Sequence, residues 1–335
     1  METTILPNTD ICTTRIGFGC ASLMRLRTRR ERQELLGAAY DIGIRHFDVA
    51  RMYGLGAAER ELGIFLRGRR DQVTVTTKFG IAAHGFVEKL RWMQPLMRGV
   101  ANAFPRLKRR VSQRADQLYE ARHYTAQGAE VSLMKSLREL GTDYVDMFFL
   151  HEPGLHDTID AGMEDCLEGI RQRGQIRTFG IAGNYERSGK IFARHDRLCR
   201  VVQTDNDVLH REAMRQMDFA ARALITFSPL SQTHNTISQW TESRAELRAR
   251  WNDVLNEDFS AADTLARFLI AYALYSNPRG VVLFSTTQPA RLQRLARWLD
   301  NGLPPRDHVS RFVELVDAEL ALNDRPGDDI GVNNK

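Results

Sequence analysis

Eight short β-rich runs alternate along this chain with longer segments of helical period, and this alternation restricts the fold more than any other feature. Alternating strands and helices are typical of βαβ units, in which the strands are parallel and the helices pack against the sheet. The predicted strands span residues 15–19, 45–50, 73–79, 144–151, 176–182, 200–205, 223–229 and 280–285.

Helices are predicted between these strands, and the clearest is "AEVSLMKSLRELG", where apolar residues recur at helical spacing and Gly141 follows as a stop. The predicted helices span residues 30–42, 57–67, 126–140, 158–173, 186–195, 211–222, 260–275 and 289–299. Eight strands and eight helices predict an (α/β)8 barrel, or TIM barrel, with a doubly wound sheet as the alternative.

The length of 335 residues fits one barrel of roughly 250 residues with extra loops and helices. Because no low-complexity linker or fixed-period repeat is visible, we expect a single domain over residues 1–335. Its core would span about residues 15–300, with a long basic loop at 80–125 and a C-terminal extension at 301–335 that contains one helix, "HVSRFVELVDAELAL".

Composition excludes several classes of protein. No apolar stretch approaches the roughly 20 residues of a membrane helix, so we expect no stable membrane insertion. Glu2 stands where a signal peptide would carry Lys or Arg, and the four cysteines form no C-x-x-C pair, so we expect reduced thiols in the cytoplasm. The nine histidines lack the spacing of metal ligands, so no catalytic metal is predicted.

Two glycine-containing strings resemble nucleotide-binding loops without completing them. "GFGCAS" lacks the third glycine of a dinucleotide fingerprint and the acid expected about 20 residues later. "GNYERSGK" has its glycines one residue too far apart for a phosphate loop, and Ile191 replaces the required Ser or Thr. We therefore expect neither a Rossmann fingerprint nor ATP or GTP hydrolysis.

Ionisable side chains interrupt three neighbouring apolar strands near their carboxyl ends. Asp48 and Tyr53 belong to "FDVARMYG", Lys78 to "TVTTK", and His151 closes "MFFLH". Each alone has an ordinary structural explanation, such as a helix cap or a core histidine. Because a barrel of this type builds its active site at the carboxyl ends of its strands, the four together predict a catalytic set.

The chemistry of this set suits carbonyl reduction. A phenol has a pKa of about 10, and a nearby ammonium group such as Lys78 would lower it by stabilising the phenolate. Asp48 would keep the lysine charged and oriented, and His151 would hydrogen-bond the carbonyl oxygen of the substrate. The sequence therefore predicts Tyr53 as the general acid that protonates an oxygen while a hydride reaches the carbon.

Six motifs, in this order and spacing, resemble the aldo-keto reductase superfamily from about Arg15 to Leu299: "FDVARMYG", "TTKFG", "LGTDYVDMFFLHEP", "GIAGN", "VVQTDND" and "ITFSPLSQ". The resemblance implies an (α/β)8 barrel and a nicotinamide cofactor held without a Rossmann domain. It also implies a catalytic tetrad of Asp48, Tyr53, Lys78 and His151, in agreement with the assignment from the residues themselves.

The resemblance also implies cofactor contacts. Asn184 and Gln203 would hydrogen-bond the nicotinamide carboxamide, and Phe227 would stack on the ring. Gly19 and Cys20 would lie near the nicotinamide, and Ser228, Leu230 and Gln232 would border the pyrophosphate. The chain departs from the family pattern by carrying Ala182 and Gly183 before Asn184, and Phe227 in place of Tyr.

At the adenosine end, the resemblance places Ser285, Thr286 and Arg291 where they would suit a 2′-phosphate, for which hydroxyl and guanidinium groups are good partners. Arg294 and Leu295 replace the family's Glu and Asn. The cofactor prediction is therefore NADP(H) in preference to NAD(H).

Residues 84–122 form a basic segment with nine Lys or Arg against three acids, a net charge of +6 that accounts for the +5 of the whole chain. The segment follows the third strand on the active-site side, so Trp92, Met93, Met97 and Phe104 are candidates to line the substrate pocket. The alternatives are a solvated surface excursion, and an element for anionic lipid or nucleic acid, which two prolines in the segment make less favourable.

Three functional hypotheses follow. The first is an NADP(H)-dependent reductase of an aldehyde or ketone, the second a sugar or polyol dehydrogenase working in the oxidative direction, and the third a nucleotide-binding regulatory subunit with little turnover. The expected partner is a small carbonyl or alcohol compound and not nucleic acid. The sequence predicts neither the identity of the substrate nor the oligomeric state.

Overall fold

The computed structural model describes residues 1–81, 122, 124–216 and 222–323. Its centre is a closed barrel of eight parallel strands in the spatial order β10-β3-β4-β5-β6-β7-β8-β9, and a two-stranded antiparallel hairpin precedes it. The strands are β1 (Thr3–Ile5), β2 (Cys12–Thr14), β3 (Ile16–Gly19), β4 (His46–Asp48), β5 (Thr74–Phe79), β6 (Val145–His151), β7 (Ile176–Ala182), β8 (Val201–Asp205), β9 (Ala223–Phe227) and β10 (Val281–Phe284). The predicted (α/β)8 barrel is confirmed, and the doubly wound alternative is wrong.

Helices surround this barrel. In the described residues they are α1 (Arg29–Asp41), α2 (Ala57–Leu66), α3 (Ala126–Leu140), α4 (Met163–Gln172), α5 (Tyr185–Arg194), α6 (Glu212–Gln216), α7 (Ser231–Ser243), α8 (Ala245–Leu255), α9 (Thr264–Ser276), α10 (Pro289–Asn301) and α11 (Arg306–Asn323). Helix α3 has the bounds predicted from its periodicity: the Thr125 hydroxyl accepts from the Gly128 N–H, and Gly141 ends the helix at a positive φ of 65°.

Five elements differ from the prediction. The hairpin of β1 and β2 and the consecutive helices α7 and α8 were not predicted, and the helix expected over 158–173 begins only at Met163. Helix α7, "SQTHNTISQWTES", is polar and rich in Ser and Thr, so its sequence carries little helical signal. Packing replaces propensity here, because Ile237 of α7 and Trp251 of α8 are fully buried in a cluster with Phe268 and Phe312.

The interior of the barrel is a separate apolar cluster that includes Met147, Phe149 and Ile225. Leu6 and Ile11, which flank the turn of the hairpin, belong to this cluster and are fully buried. The hairpin therefore closes the amino-terminal end of the barrel with apolar side chains. The cavity that brings together the predicted site residues lies at the opposite end, where the strands finish.

Strand register brings the carboxyl ends together. Asp48 at the end of β4 pairs with Gly19 of β3 and Thr76 of β5, and His151 at the end of β6 pairs with Ala182 of β7. In parallel strands that end at a common level, the final side chains and the first loop residues share one face. That face carries the candidate site.

Candidate active site

A cavity of about 220 Å³ lies at the carboxyl ends of the strands. All four residues of the predicted tetrad line it, together with six of the predicted cofactor residues, namely Gly19, Gln203, Phe227, Ser228, Leu230 and Ser285. Asp48, Tyr53, Lys78 and His151 come from three consecutive strands and the loop after β4, so the structure brings together what the sequence spreads over more than 100 positions.

Asp48 and Lys78 form a buried ion pair at the base of this cavity. Lys78 Nζ donates to Asp48 Oδ1 at 2.6 Å and to the Val49 carbonyl at 3.2 Å, and the two side chains are only 3% and 2% exposed. Burial raises the pKa of Asp48, and the charge and hydrogen bond of Lys78 oppose that rise. The electrostatic effects of the two opposite charges therefore largely cancel at a neighbouring group such as Tyr53.

Gln203 of β8 also forms a hydrogen bond with the Asp48 carboxylate. Its Nε2 donates to Asp48 Oδ2 at 3.1 Å, so one oxygen of Asp48 has a partner from the adjacent strand β5 and the other has a partner from β8, across the barrel. The other end of the same amide, Oε1, is buried and has no hydrogen-bond partner among the described residues. Since Gln203 also lines the cavity, this acceptor is available to a donor of a bound molecule.

Tyr53 and His151 face each other across the cavity, with their rings in an edge-on arrangement at 6.0 Å between centroids. Lys78 Nζ lies 5.3 Å from the centre of the Tyr53 ring. Burial lowers the pKa of His151 well below its usual value, and the charges of Lys78 and Arg122 lower it further. His151 is therefore neutral near pH 7 and can donate through one ring N–H.

The expectation that Lys78 lowers the pKa of Tyr53 is wrong for this arrangement. Burial raises the pKa of Tyr53 well above its usual value, and the charges of Asp48 and Glu152 raise it further. Because Asp48 lies within hydrogen-bonding distance of the lysine, it offsets the ammonium charge that would otherwise stabilise a phenolate. Tyr53 is held as a protonated phenol.

The loop that carries Tyr53 is fixed from behind by a buried carboxylate. Glu59 of α2 is fully buried, accepts from the Thr77 hydroxyl at 2.7 Å and pairs with Arg51 at 3.1 Å. Thr77 precedes Lys78 in β5, and Arg51 lies two residues before Tyr53. Glu59 therefore links the strand that holds the lysine to the loop that holds the phenol, a connection that the sequence analysis missed.

Gly80 and Tyr124 support the histidine. The Tyr124 hydroxyl donates to the backbone carbonyl of His151 at 2.6 Å. Gly80 has a φ of 104°, and a Cβ there would lie 2.1 Å from the Tyr124 ring. Only glycine combines this backbone conformation with so close an approach, which explains the glycine that ends "TTKFG".

Five of the predicted cofactor residues lie outside the cavity. Cys20 is fully buried beneath it, and burial raises its pKa. Asn184 and Gln232 line an adjoining cavity of about 1050 Å³, which Ser228 shares with the first one. Thr286 is buried, its hydroxyl accepting from the Gln288 N–H at 3.1 Å, and Arg291 is exposed in the first turn of α10.

Ser285, in contrast, is already engaged. Its hydroxyl donates to the Gly19 carbonyl at 2.8 Å and lies 3.0 Å from the Ser22 hydroxyl. The substrate-pocket candidates Trp92, Met93, Met97 and Phe104 lie outside the described residues. Within the described part of the chain, no group of three or more His, Cys, Asp or Glu could hold a metal ion, and no helix is long and apolar enough to cross a membrane.

This barrel carries a buried ion pair and a phenol at its carboxyl face, and comparison with known sequences identifies the family. The model of the aldo/keto reductase family matches residues 15–316. The chain therefore belongs to the aldo/keto reductase family.

Individual relatives are distant. The chain is 33% identical over 173 residues to a D-threo-aldose 1-dehydrogenase of Pseudomonas sp, a match covering 50% of this chain and 49% of that protein. It is 25% identical over 320 residues to an aldo-keto reductase of Mycolicibacterium paratuberculosis, covering 92% and 88%. The chain spans about half the length of three of the curated relatives that it matches.

Solved structures share the fold. The glycerol dehydrogenase of Gluconobacter oxydans superposes with a TM-score of 0.67 at 16% identity, covering 99% of each chain. An aldo-keto reductase from Klebsiella pneumoniae in complex with NADPH superposes with a TM-score of 0.61 at 19% identity, covering 94% of this chain and 95% of that one. Identities this low establish the fold alone.

Proposed function

We propose that this protein is an NADP(H)-dependent oxidoreductase that reduces an aldehyde or ketone to an alcohol, with Tyr53 as the general acid. The observation that carries the proposal is the cavity in which a protonated Tyr53 and a neutral His151 lie beside the Asp48–Lys78 pair. A site that only bound a nucleotide would not require a desolvated phenol supported by a buried ion pair.

The residues divide the chemistry between donation and orientation. Tyr53, kept protonated by burial, donates its hydrogen to a carbonyl oxygen that is gaining negative charge. Neutral His151 donates a second hydrogen bond to the same oxygen and fixes the orientation of the substrate. Lys78 Nζ lies 5.3 Å from the centre of the phenol ring, and its pairing with Asp48 fixes the surroundings of Tyr53 without holding it as a phenolate.

A nicotinamide cofactor, when bound, supplies the hydride for this reduction. The unpartnered Gln203 Oε1 fits the NH₂ of a carboxamide, and the partly exposed Phe227 offers a flat apolar surface to an aromatic ring. For the 2′-phosphate of NADP(H), we infer that Arg291 is the main cationic partner, since it lies exposed at the start of α10.

Replacement of Tyr53 by Phe tests the proposal. We expect kcat to fall by at least about 10²-fold with any aldehyde that the wild type reduces, because general acid catalysis contributes about 10²–10⁴-fold. Fluorescence titration should show that NADPH binding is retained and that NADPH binds more tightly than NADH in both proteins. Tyr40→Phe is the matched control, since Tyr40 does not line the cavity and its hydroxyl donates to Gln72, which does not line it either. Unchanged turnover in Tyr53→Phe would refute the role of Tyr53.

A second candidate function is a sugar or polyol dehydrogenase acting in the oxidative direction. It is favoured by the 33% identity to a D-threo-aldose 1-dehydrogenase over half of the chain. The two functions share one site and differ in the substrate and in the direction of the reaction. Initial rates of NADP⁺ reduction with a panel of aldoses and polyols, compared with NADPH oxidation by aldehydes at the same pH, distinguish them.

A further inference from the structure

Glu152 is an acidic residue in the wall of the cavity that neither the tetrad nor the cofactor contacts account for. It directly follows His151 and lines the same cavity as Tyr53. Its φ of 52° lies in the left-handed region, which is rare for a residue other than glycine. Backbone strain of this kind destabilises the fold and clusters at functional sites.

The backbone of Glu152 is held at both ends. Its N–H donates to the Ala182 carbonyl at 2.5 Å, and its carbonyl accepts from Arg122 Nη1 at 2.6 Å and from Arg187 Nε at 3.1 Å. These bonds fix the main chain whatever the side chain is. The carboxylate itself makes a longer ionic contact, 3.6 Å from Arg122 Nη2, and the side chain is 38% exposed.

Among the described lining residues, Glu152 carries the charge that no other lining residue neutralises, because its ionic partner Arg122, 3.6 Å away, lies outside the lining. Asp48, Lys78 and Glu152 are the ionised residues among them, and the first two pair with each other at 2.6 Å. Burial and the charge of Asp48 are the two largest causes of the raised pKa of Tyr53, and the charge of Glu152 is the next. A negative charge that acts on the phenol also acts on a substrate held by that phenol.

We propose that Glu152 is a specificity-determining residue, whose carboxylate accepts a hydrogen bond from a hydroxyl of the substrate and disfavours substrates that carry a carboxylate. The inference rests on the proposed function and narrows it to neutral, hydroxyl-bearing carbonyl compounds and alcohols in preference to oxo acids. Ionised acceptors form stronger hydrogen bonds than neutral ones, and like charges a few ångströms apart repel, so one residue produces both preferences.

Glu152→Gln is a conservative test, because it removes the charge while the three backbone bonds remain. The substrates are three para-substituted benzaldehydes of similar size: 4-carboxybenzaldehyde, 4-formylbenzamide and 4-(hydroxymethyl)benzaldehyde. The quantity compared is kcat/KM for each with NADPH, and the change is expected mainly in KM. Glu164→Gln, on the outer helix α4, removes the same charge far from the cavity as the control.

We expect Glu152→Gln to raise the ratio of kcat/KM for the carboxylate over the amide by about tenfold, and Glu164→Gln to leave it unchanged. Tenfold corresponds to about 1.4 kcal/mol, which is roughly the repulsion of two unit charges about 6 Å apart at a dielectric between those of protein and water. The same variant should lower the preference for the hydroxymethyl compound over the amide. Added salt should shrink the effect on the carboxylate in the wild type.

Calorimetric titration of the same three compounds into NADP⁺-loaded wild type and Glu152→Gln separates this inference from the proposed function. If neutral aldehydes are reduced but the carboxylate ratio does not move in Glu152→Gln, the inference is overturned and the proposed function stands. If no aldehyde is reduced but the binding ratio shifts as expected, the inference stands and the reductase proposal falls. Equal shifts in Glu164→Gln would also overturn the inference, since the effect would then be one of net charge.

Discussion

Replacement of Lys78 by Met tests whether the buried pair acts as one unit. The lysine is 2% exposed and binds Asp48 at 2.6 Å. Breaking a buried pair by removing one partner costs about 3–5 kcal/mol, because the remaining charge is left without compensation. We therefore expect the free energy of unfolding to fall by about that amount near neutral pH. Lys135→Met, at an exposed position of α3, should change it by less than about 0.5 kcal/mol.

The loss should depend on pH in a defined direction. Burial already raises the pKa of Asp48, and Lys78 is the first of the influences that oppose the rise, so the variant raises the pKa further. An acid whose folded-state pKa exceeds its unfolded value of about 3.9 binds more protons in the folded state. Its effect on stability is then less favourable as pH rises, by up to about 1.4 kcal/mol per pH unit, until the folded pKa is passed.

Urea unfolding at pH 5 and pH 8 measures this difference. Lys78→Met should be destabilised more at pH 8 than at pH 5, relative to the wild type at the same pH. The double variant Asp48→Asn/Lys78→Met removes both charges of the pair. In it, part of the lost free energy of unfolding should be recovered, and the excess pH dependence of Lys78→Met should disappear. Two results together would refute the coupling of the two side chains: an equal loss of unfolding free energy at both pH values, and a double-variant effect equal to the sum of the two single-variant effects.

Two other substitutions test groups next to this pair. Burial lowers the pKa of His46 to about 3, so below about pH 6.5 the unfolded state binds more protons than the folded state. The free energy of unfolding of the wild type should therefore decrease as pH is lowered, by up to about 1.4 kcal/mol per pH unit. His46→Gln should remove that contribution in urea unfolding between pH 5 and 7, and an unchanged slope would contradict the assignment. Gln203→Leu removes both the donor to Asp48 and the free acceptor, and should weaken NADPH binding by about tenfold in a fluorescence titration. Binding as tight as in the wild type would show that Gln203 Oε1 receives nothing from the cofactor.

The arrangement of the tetrad was predictable because its signal is local. Asp48 and His151 each end an apolar strand, and Lys78 stands one residue before the end of another. The alternation of strands and helices predicts that the carboxyl ends of these strands meet. The barrel and helix α3 were predictable for the same reason, since periodicity and a terminal glycine are written in adjacent residues.

The features that the sequence did not reveal depend on contacts between distant positions. The bond from Gln203 to Asp48 joins residues 155 positions apart, and Arg122 meets Glu152 only in the folded chain. Helices α7 and α8 are set by the packing of Ile237 and Trp251 rather than by their propensity. The signal that could have pointed to Glu152 was an acid immediately after His151, but its importance depends on a backbone conformation that no pattern specifies.

The protonation state of Tyr53 has a chemical consequence. The sequence predicts that Lys78, oriented by Asp48, lowers the pKa of the phenol, whereas in the structure the carboxylate at 2.6 Å offsets the lysine charge and burial raises that pKa. A phenol that holds its proton in the resting site supports the role of an acid in reduction near pH 7, because it enters each cycle in the protonated form. In the oxidative direction the same group must first lose that proton, and the carboxylate of Glu152 opposes this loss. We therefore expect the charge distribution of the cavity to favour reduction over oxidation at neutral pH, even for substrates whose hydroxyls would donate to Glu152.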